Sequence, residues 1–302
     1  MPTRRDFLRS SLITAAAACA PAGLRANPVD AAPLARPLFT GIGITAPLAR
    51  ATEMKECGAD FIAPSVADFL MPAESEAAFL AQRELAAAAA LPVRGCNSFL
   101  RDRRLRCTGP DADHARVLAF AETAFRRLHE VGGEYIVFGS NTSRQIPVGY
   151  PKEKADEQFV TLLRAMAPLA AQHGIVVALE AQQASECNYL NHIREAAAVV
   201  ASTNHPNIRL LADMFHMARM GDTAQDLECA VSWVGMVELA EKENRTLPGV
   251  AGDDFRPYLA VLAKARFSGL ACIEGSGTRP QLERAFATVR QQAASVMDQA
   301  RS

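Results

Sequence analysis

The sequence predicts an α/β protein folded as one (β/α)8 TIM barrel, and three observations point to it. Short β-like runs alternate with helical stretches along most of the 302 residues, the pattern of stacked βα units around a parallel sheet. Eight such runs are readable, the count that closes a barrel. No glycine-rich phosphate loop follows the first run, which disfavours an open dinucleotide-binding sheet. A chain of this length, 49% hydrophobic, can bury one large core, and no second domain is visible.

The predicted strands are Phe39–Ala46, Phe61–Val66, Val93–Phe99, Tyr135–Ser140, Ile175–Ala181, Ile208–Phe215, Val234–Ala240 and Leu270–Gly275. Between the fourth and fifth, Phe159, Leu162, Leu163, Met166 and Leu169 fall three and four apart, a stripe suited to lie against a sheet. Gly174 and Gly269 stand where helices should stop and the chain must turn into the next strand. Trp233, the only tryptophan, is expected to pack in the core just before the seventh strand.

Ahead of the barrel, Thr3-Arg4-Arg5-Asp6-Phe7-Leu8-Arg9 precedes an apolar run from Leu12 to Ala22 and a small-residue stretch ending at Ala26. This reads as a twin-arginine export signal over residues 1–26, too short in its apolar run to span a bilayer, and implies a periplasmic protein. The weak lipobox before Cys19 favours cleavage after Ala26 over lipidation. A Pro/Ala-rich linker, residues 27–38, leads into the barrel at 39–302. Export of an already folded chain suits a protein that takes up a cofactor before crossing.

The charges nearly cancel, 32 Lys+Arg against 33 Asp+Glu, so no basic field exists to attract nucleic acid or anionic lipid. A small-molecule partner is the expectation. Cys57, Cys96, Cys107, Cys187, Cys229 and Cys272 are scattered singly, without the paired spacing of a zinc site. They read as buried apolar residues, with a periplasmic disulfide as the alternative.

Barrel enzymes collect their reactive groups at the carboxyl ends of the strands. Here the fifth strand ends in Glu180, the sixth in Asp213 to His216, the seventh carries Glu238 and leads to Glu241, and the eighth ends in Glu274. Carboxylates crowded into a cleft repel and are costly to desolvate unless protons or a cation neutralise them. An oxygen-rich set with at most one nearby imidazole suits Mn²⁺ or Mg²⁺ better than a structural zinc. The fourth strand opens into Ser140-Asn141-Thr142-Ser143-Arg144-Gln145-Ile146-Pro147, a polar loop expected to contribute binding donors through Arg144, and Asn97 at the end of the third strand is read the same way.

Three segments, Leu179 to Asn191, Asp213-Met214-Phe215-His216-Met217 and Glu241 to Gly249, resemble the xylose isomerase-like superfamily of sugar isomerases and epimerases, whose members include ketose 3-epimerases, hydroxypyruvate isomerases and inosose dehydratases. The resemblance covers nearly all of the chain after the linker. It implies a divalent metal held by Glu180, Asp213 and Glu274, with Glu180 and Glu274 as the catalytic pair on opposite faces of a ketose or keto-sugar. His216 matches a residue that touches substrate oxygens, Arg245 one that anchors a substrate hydroxyl, and Glu186 one that orients the substrate or the first Glu. Ligation departs from the family pattern at the seventh strand, where Glu238 replaces a histidine. Glu238 then coordinates directly, stands behind a water, or marks a weakened site. The implied reaction is isomerisation or epimerisation through an enediolate. Dehydration or β-elimination by a lyase, and a non-catalytic sugar-binding barrel, are the alternatives. The barrel also resembles metal-dependent AP endonucleases, but six His and no excess positive charge argue against a multi-zinc nuclease. A homodimer is an assembly found among such relatives.

Overall fold

A computed structural model describes residues 36–300. The segment read as an export signal, residues 1–26, and residues 27–35 of the expected linker lie outside the described residues.

The eight strands are β1 (Phe39–Thr45), β2 (Phe61–Ala63), β3 (Gly95–Cys96), β4 (Tyr135–Phe138), β5 (Val176–Glu180), β6 (Ile208–Asp213), β7 (Val234–Leu239) and β8 (Gly269–Ile273). Among the described residues ten α-helices accompany them: α1 (Ala51–Glu56), α2 (Glu76–Ala87), α3 (His114–Glu130), α4 (Asn141–Arg144), α5 (Lys152–Gln172), α6 (Ile193–Thr203), α7 (Met214–Met220), α8 (Ala224–Ala230), α9 (Arg256–Lys264) and α10 (Arg279–Gln299). The strands are all parallel in the order β2-β1-β8-β7-β6-β5-β4-β3. Between β2 and β3 the seam is spanned by two parallel bridges, Ile62 to Val93 and Ser65 to Asn97, so the sheet is a nearly closed TIM barrel in a single domain.

All eight predicted strands are present, and most stop short of the predicted ends for local reasons. Pro64, which can donate nothing to a ladder, follows the last residue of β2. β4 ends before Gly139 because Ser140 turns left-handed, with φ 48°, to start α4. The sixth strand ends at Asp213 rather than Phe215, since the Asp213 side chain caps α7 and carries Met214, Phe215 and His216 into that helix. Caps set other starts as well: Ser75 accepts from the Ala78 N–H before α2, and Asp113 from the Arg116 N–H before α3.

Two layers of core follow from the alternation of strand side chains. Between strands and helices, Phe159, Leu162, Leu163 and Met166 of α5 are fully buried, as their spacing predicts, with Leu169 half-buried beside them. Gly174 ends that stretch with φ +68°. Gly269 behaves differently from expectation: the left-handed turn after α9 falls on Arg266, and Gly269 opens β8, where an added Cβ would lie 2.5 Å from the Phe267 ring. Trp233 packs against this outer core.

Inside the barrel, Phe61, Tyr135, Leu211, Met236 and Leu270 fill the lower part, with the Phe61 and Tyr135 rings edge-on at 6.3 Å. Gly43 makes that possible, because a Cβ there would sit 2.2 Å from the Phe61 ring. Gly43→Ala is therefore expected to lower stability by about 1–3 kcal/mol through overpacking, read as a shift in the urea midpoint at unchanged slope. Phe61 and the side chains around it fill the lower half of the barrel interior, below the carboxyl-end mouth. No helix among the described residues is long and apolar enough to cross a membrane.

Candidate metal and sugar site

A cavity of about 290 Å³ opens at the carboxyl ends of the strands, near the lower end of the ~300–1,000 Å³ usual for small-molecule sites. Glu180, Glu186, His216, Glu238, Arg245, Glu274 and Asn97 all line it. Asp213 lies just behind them, 3% exposed. One oxygen from each of Glu180, Asp213, Glu238 and Glu274 falls within 4.8 Å of all the others.

The strand ladder explains this convergence. Asp213 pairs with Glu238 across β6 and β7, while Glu180 pairs with Leu211, two residues before Asp213, and Glu238 with Cys272, two before Glu274, so the four carboxylates meet through the stagger of the tilted strands. Asp213 divides its carboxylate. Oδ1 accepts the N–H groups of Phe215 at 2.7 Å and His216 at 3.0 Å, whereas Oδ2 is buried with no hydrogen-bond partner. Glu238 Oε1 is likewise buried and unpartnered.

Burial and mutual repulsion push the three glutamates toward their neutral forms. Desolvation first, then the charges of Asp213, Glu238 and Glu274, hold the Glu180 carboxyl well above the usual carboxylate range. Desolvation and then Glu274 and Asp213 do the same to Glu238. Glu274 is raised to about 7 by desolvation, with the Arg245 guanidinium pulling the other way.

This donor set fits a hard divalent cation. Oxygen-to-metal bonds of ~2.1–2.6 Å place opposite ligands roughly 4–5 Å apart, the spread of the cluster. Two buried acceptors without donors are the unsatisfied groups that such an ion would satisfy. Glu238 stands with the other three carboxylates rather than apart from them.

Around this acidic floor lies a ring of polar groups. His216, 1% exposed, has Nε2 3.5 Å from Glu180 Oε1. Its Nδ1 lies 3.1 Å from the Gln183 N–H, and its Nε2 lies 2.8 Å from Arg245 Nη2, of which a neutral imidazole accepts only one. Burial lowers its pKa, keeping the ring neutral, with Asp213 opposing and Arg245 adding to the effect. Arg245 is seated on the Phe215 ring at 4.2 Å and reaches Glu274 at 3.3 Å and Glu186 at 3.4 Å. Gln183 Nε2 donates to Glu186 Oε1 at 2.7 Å, which orients that acid toward the cavity.

The loop that presents Arg245 is built on Glu241, a fully buried acid that serves the backbone rather than the mouth. Its carboxylate accepts the Thr246 hydroxyl and the N–H groups of Gly249 and Gly252 at 2.8 Å each, that of Asp253 at 3.2 Å, and that of Ala251. Burial alone would raise its pKa, but these donors outweigh it and hold the carboxyl below its ordinary value. The stabilisation is thus present above pH ~4.3 and lost as pH falls through the lowered folded value. Glu241→Gln is expected to destabilise by about 2–4 kcal/mol at neutral pH, with the gap to the unsubstituted protein narrowing at pH 3 in urea unfolding.

Arg144 departs from expectation. Its side chain is fully buried and does not line the cavity, because the first residues of the polar loop fold into α4 after the left-handed turn at Ser140 and carry Arg144 inward. None of its guanidinium nitrogens has a hydrogen-bond partner among the described residues. The loop's own contributions to the lining are Ser140 and Asn141.

Two participants escaped the sequence reading. Gln182 Nε2 donates to Glu180 Oε2 at 3.1 Å. Its place two residues beyond Glu180 was the available signal, since that spacing returns a strand side chain to one face. Gly139 leaves the room that the Glu180 carboxylate occupies, for a Cβ there would lie 2.0 Å from Oε2. Among the cysteines, Cys57, Cys96, Cys107, Cys187 and Cys272 are free and buried, as expected for apolar packing.

A family model for the xylose isomerase-like TIM barrel matches residues 51–295. An inosose isomerase of Bacillus licheniformis is 26% identical over 134 residues, which are 41% of this chain and 48% of that protein. The chain thus matches about half the length of its curated relatives. Among solved structures, an L-ribulose 3-epimerase superposes with a TM-score of 0.73 at 19% identity, covering 86% of this chain and 96% of its own. The D-psicose 3-epimerase of Clostridium cellulolyticum H10, solved with D-tagatose, gives 0.68 at 19% identity, covering 87% and 98%. At such identities the superpositions show a common fold.

Proposed function

The chain belongs to the xylose isomerase-like TIM barrel family, and from that footing we propose that it is a divalent-metal-dependent isomerase or epimerase of a ketose or keto-sugar. The observation that carries this reading is the four-carboxylate cluster with its two buried, unpartnered oxygens. Glu180, Asp213, Glu238 and Glu274 would hold Mn²⁺ or Mg²⁺, so Glu238 takes the place of a histidine ligand. Such an ion, when bound, polarises a carbonyl and neutralises charge developing on its oxygen.

The protein's own groups supply the rest. Carbon next to a carbonyl is too weakly acidic for a free carboxylate at pH 7, so a base must be held in position and the resulting enediolate must be met by fixed charge. Glu180 and Glu274 are the two carboxylates assigned to proton transfer, one removing the proton and the other returning it. Arg245 offers donors to a substrate hydroxyl, and neutral His216 and Asn97 offer hydrogen bonds to further oxygens. Glu186 holds Arg245 from the far side. Export through the twin-arginine segment at Thr3 to Arg9 belongs to the same reading, with a substrate met outside the cytosol.

The test is metal analysis of the purified protein followed by ¹H NMR of candidate ketoses in D₂O. Carbon-bound deuterium appearing at the position beside the carbonyl is the expected result. A metal-free protein that exchanges no proton in any ketose removes the reading, and product formation by loss of a β-substituent assigns the site to a lyase.

A further inference from the structure

The acidic cavity does not end at the barrel axis. Asn97, Ser98 and Arg101 line it and equally line a second cleft of about 620 Å³, which extends over the ends of β1, β2 and β3. The two spaces thus adjoin at these three residues, and the second is the larger.

Their chemistries are opposite. The first is floored by carboxylates, whereas the walls of the second are formed by Pro47, Leu48 and Ala49 after β1 and by Leu85, Ala88 and Ala89 at the end of α2. Polar side chains such as Thr52, Asp68 and Gln82 also line it. The walls are small, which is what leaves the space open. Leu85 is 58% exposed, one of four large hydrophobic side chains open to solvent among the described residues. An apolar side chain held at the wall of a cleft that adjoins a reactive site has a ready use in covering an apolar ligand.

We propose that this cleft is a subsite for the aglycone of a glycoside, so that the substrate is a keto-sugar carrying an aryl or alkyl group rather than a free monosaccharide. The inference rests on the sugar-site reading of the acidic cavity and names the substrate class for it. Adjacency at Asn97, Ser98 and Arg101 places the cleft within reach of a substituent on a sugar held in the acidic cavity. The wall of Pro47, Leu48, Ala49, Leu85, Ala88 and Ala89 suits an aryl or alkyl group, which would lose no hydrogen bonds on burial there. The cavity beside the carboxylates is left for the single sugar ring.

Titration calorimetry with phenyl and methyl β-D-glucopyranoside on the metal-loaded full chain tests this. Burial of the phenyl ring should make its glucoside bind roughly 10- to 100-fold more tightly than the methyl one. Ala49→Trp and Ala88→Trp, both at exposed positions, fill the cleft and should bring the ratio near one while leaving methyl glucoside affinity unchanged. Equal affinities in the unsubstituted protein, no measurable binding of the phenyl glucoside, a ratio that survives both substitutions, or tighter binding of cellobiose than of the phenyl glucoside would each overturn the assignment. Deuterium exchange into a free ketohexose, measured on the same samples, separates the two readings. A retained ratio without exchange removes the isomerase chemistry alone; exchange without a ratio removes the aglycone subsite alone.

Discussion

Glu180→Gln and Glu274→Gln should each reduce kcat by at least about 10³-fold while the protein stays folded. The size follows from the task assigned to these groups. Positioned acid–base catalysis contributes roughly 10²–10⁴-fold, and a residue that both moves the proton and completes a cation site loses both roles at once. An amide of the same shape cannot accept a proton at neutral pH. It can still receive the Gln182 Nε2–H that fixes the Glu180 side chain, so the geometry above Gly139 is preserved. The two variants should differ in one respect. Whichever residue removes the proton from a given epimer also controls washout of deuterium from that epimer, so single-turnover exchange in D₂O, followed from each epimer separately, should fail in a substrate-dependent way. Near-normal rates in both variants would take these carboxylates out of the mechanism.

The fold and the acidic floor were legible because each rests on a short-range rule. Eight β-like runs separated by helical periodicity leave few topologies, and a carboxylate on the last inward residue of a barrel strand can point only to the mouth. Strand position brought Glu180, Asp213, Glu238, Glu241 and Glu274 to the mouth without knowledge of packing, and the family resemblance set Glu241 apart from the other four. What could not be read depends on contacts between distant segments. Arg144 stands in a polar loop, yet the left-handed turn at Ser140 aims it inward, and no local pattern records that. Glu241 looks like one more rim acid, but Thr246, Gly249, Ala251, Gly252 and Asp253 curl back to occupy it. Gly139 is one of 18 glycines, and only the position of the Glu180 carboxylate marks it. The apolar cleft over β1 to β3 was missed for the same reason, since alanines and a proline from separate loops carry no signal until they share a wall.

Without metal, the protein should become less stable as pH rises from 5 to 8, the reverse of most proteins with salt-bridged acids. The sign comes from proton linkage. Glu180 and Glu238 are held well above their ordinary values and Glu274 at about 7, so the folded state keeps protons that the unfolded chain, with Glu near 4.3, has released. Stability is then fully present below pH ~4.3 and is lost as pH climbs through the folded values. For Glu274 alone the linked loss is on the order of 3 kcal/mol. Adding saturating Mn²⁺ or Mg²⁺ should reverse the trend, because an ion that binds only the ionised, folded cluster adds stability as the carboxylates lose their protons. Glu238→Gln separates the two effects. It removes one repelling charge from the metal-free protein, raising its melting temperature at pH 8, and it removes a ligand, shrinking the gain on adding metal. Thermal melts at pH 5 and pH 8, with chelator and with metal, read all of these outcomes. A metal-free protein equally stable at both pH values would mean that the four carboxylates do not confront one another, and the cation site would fall with them.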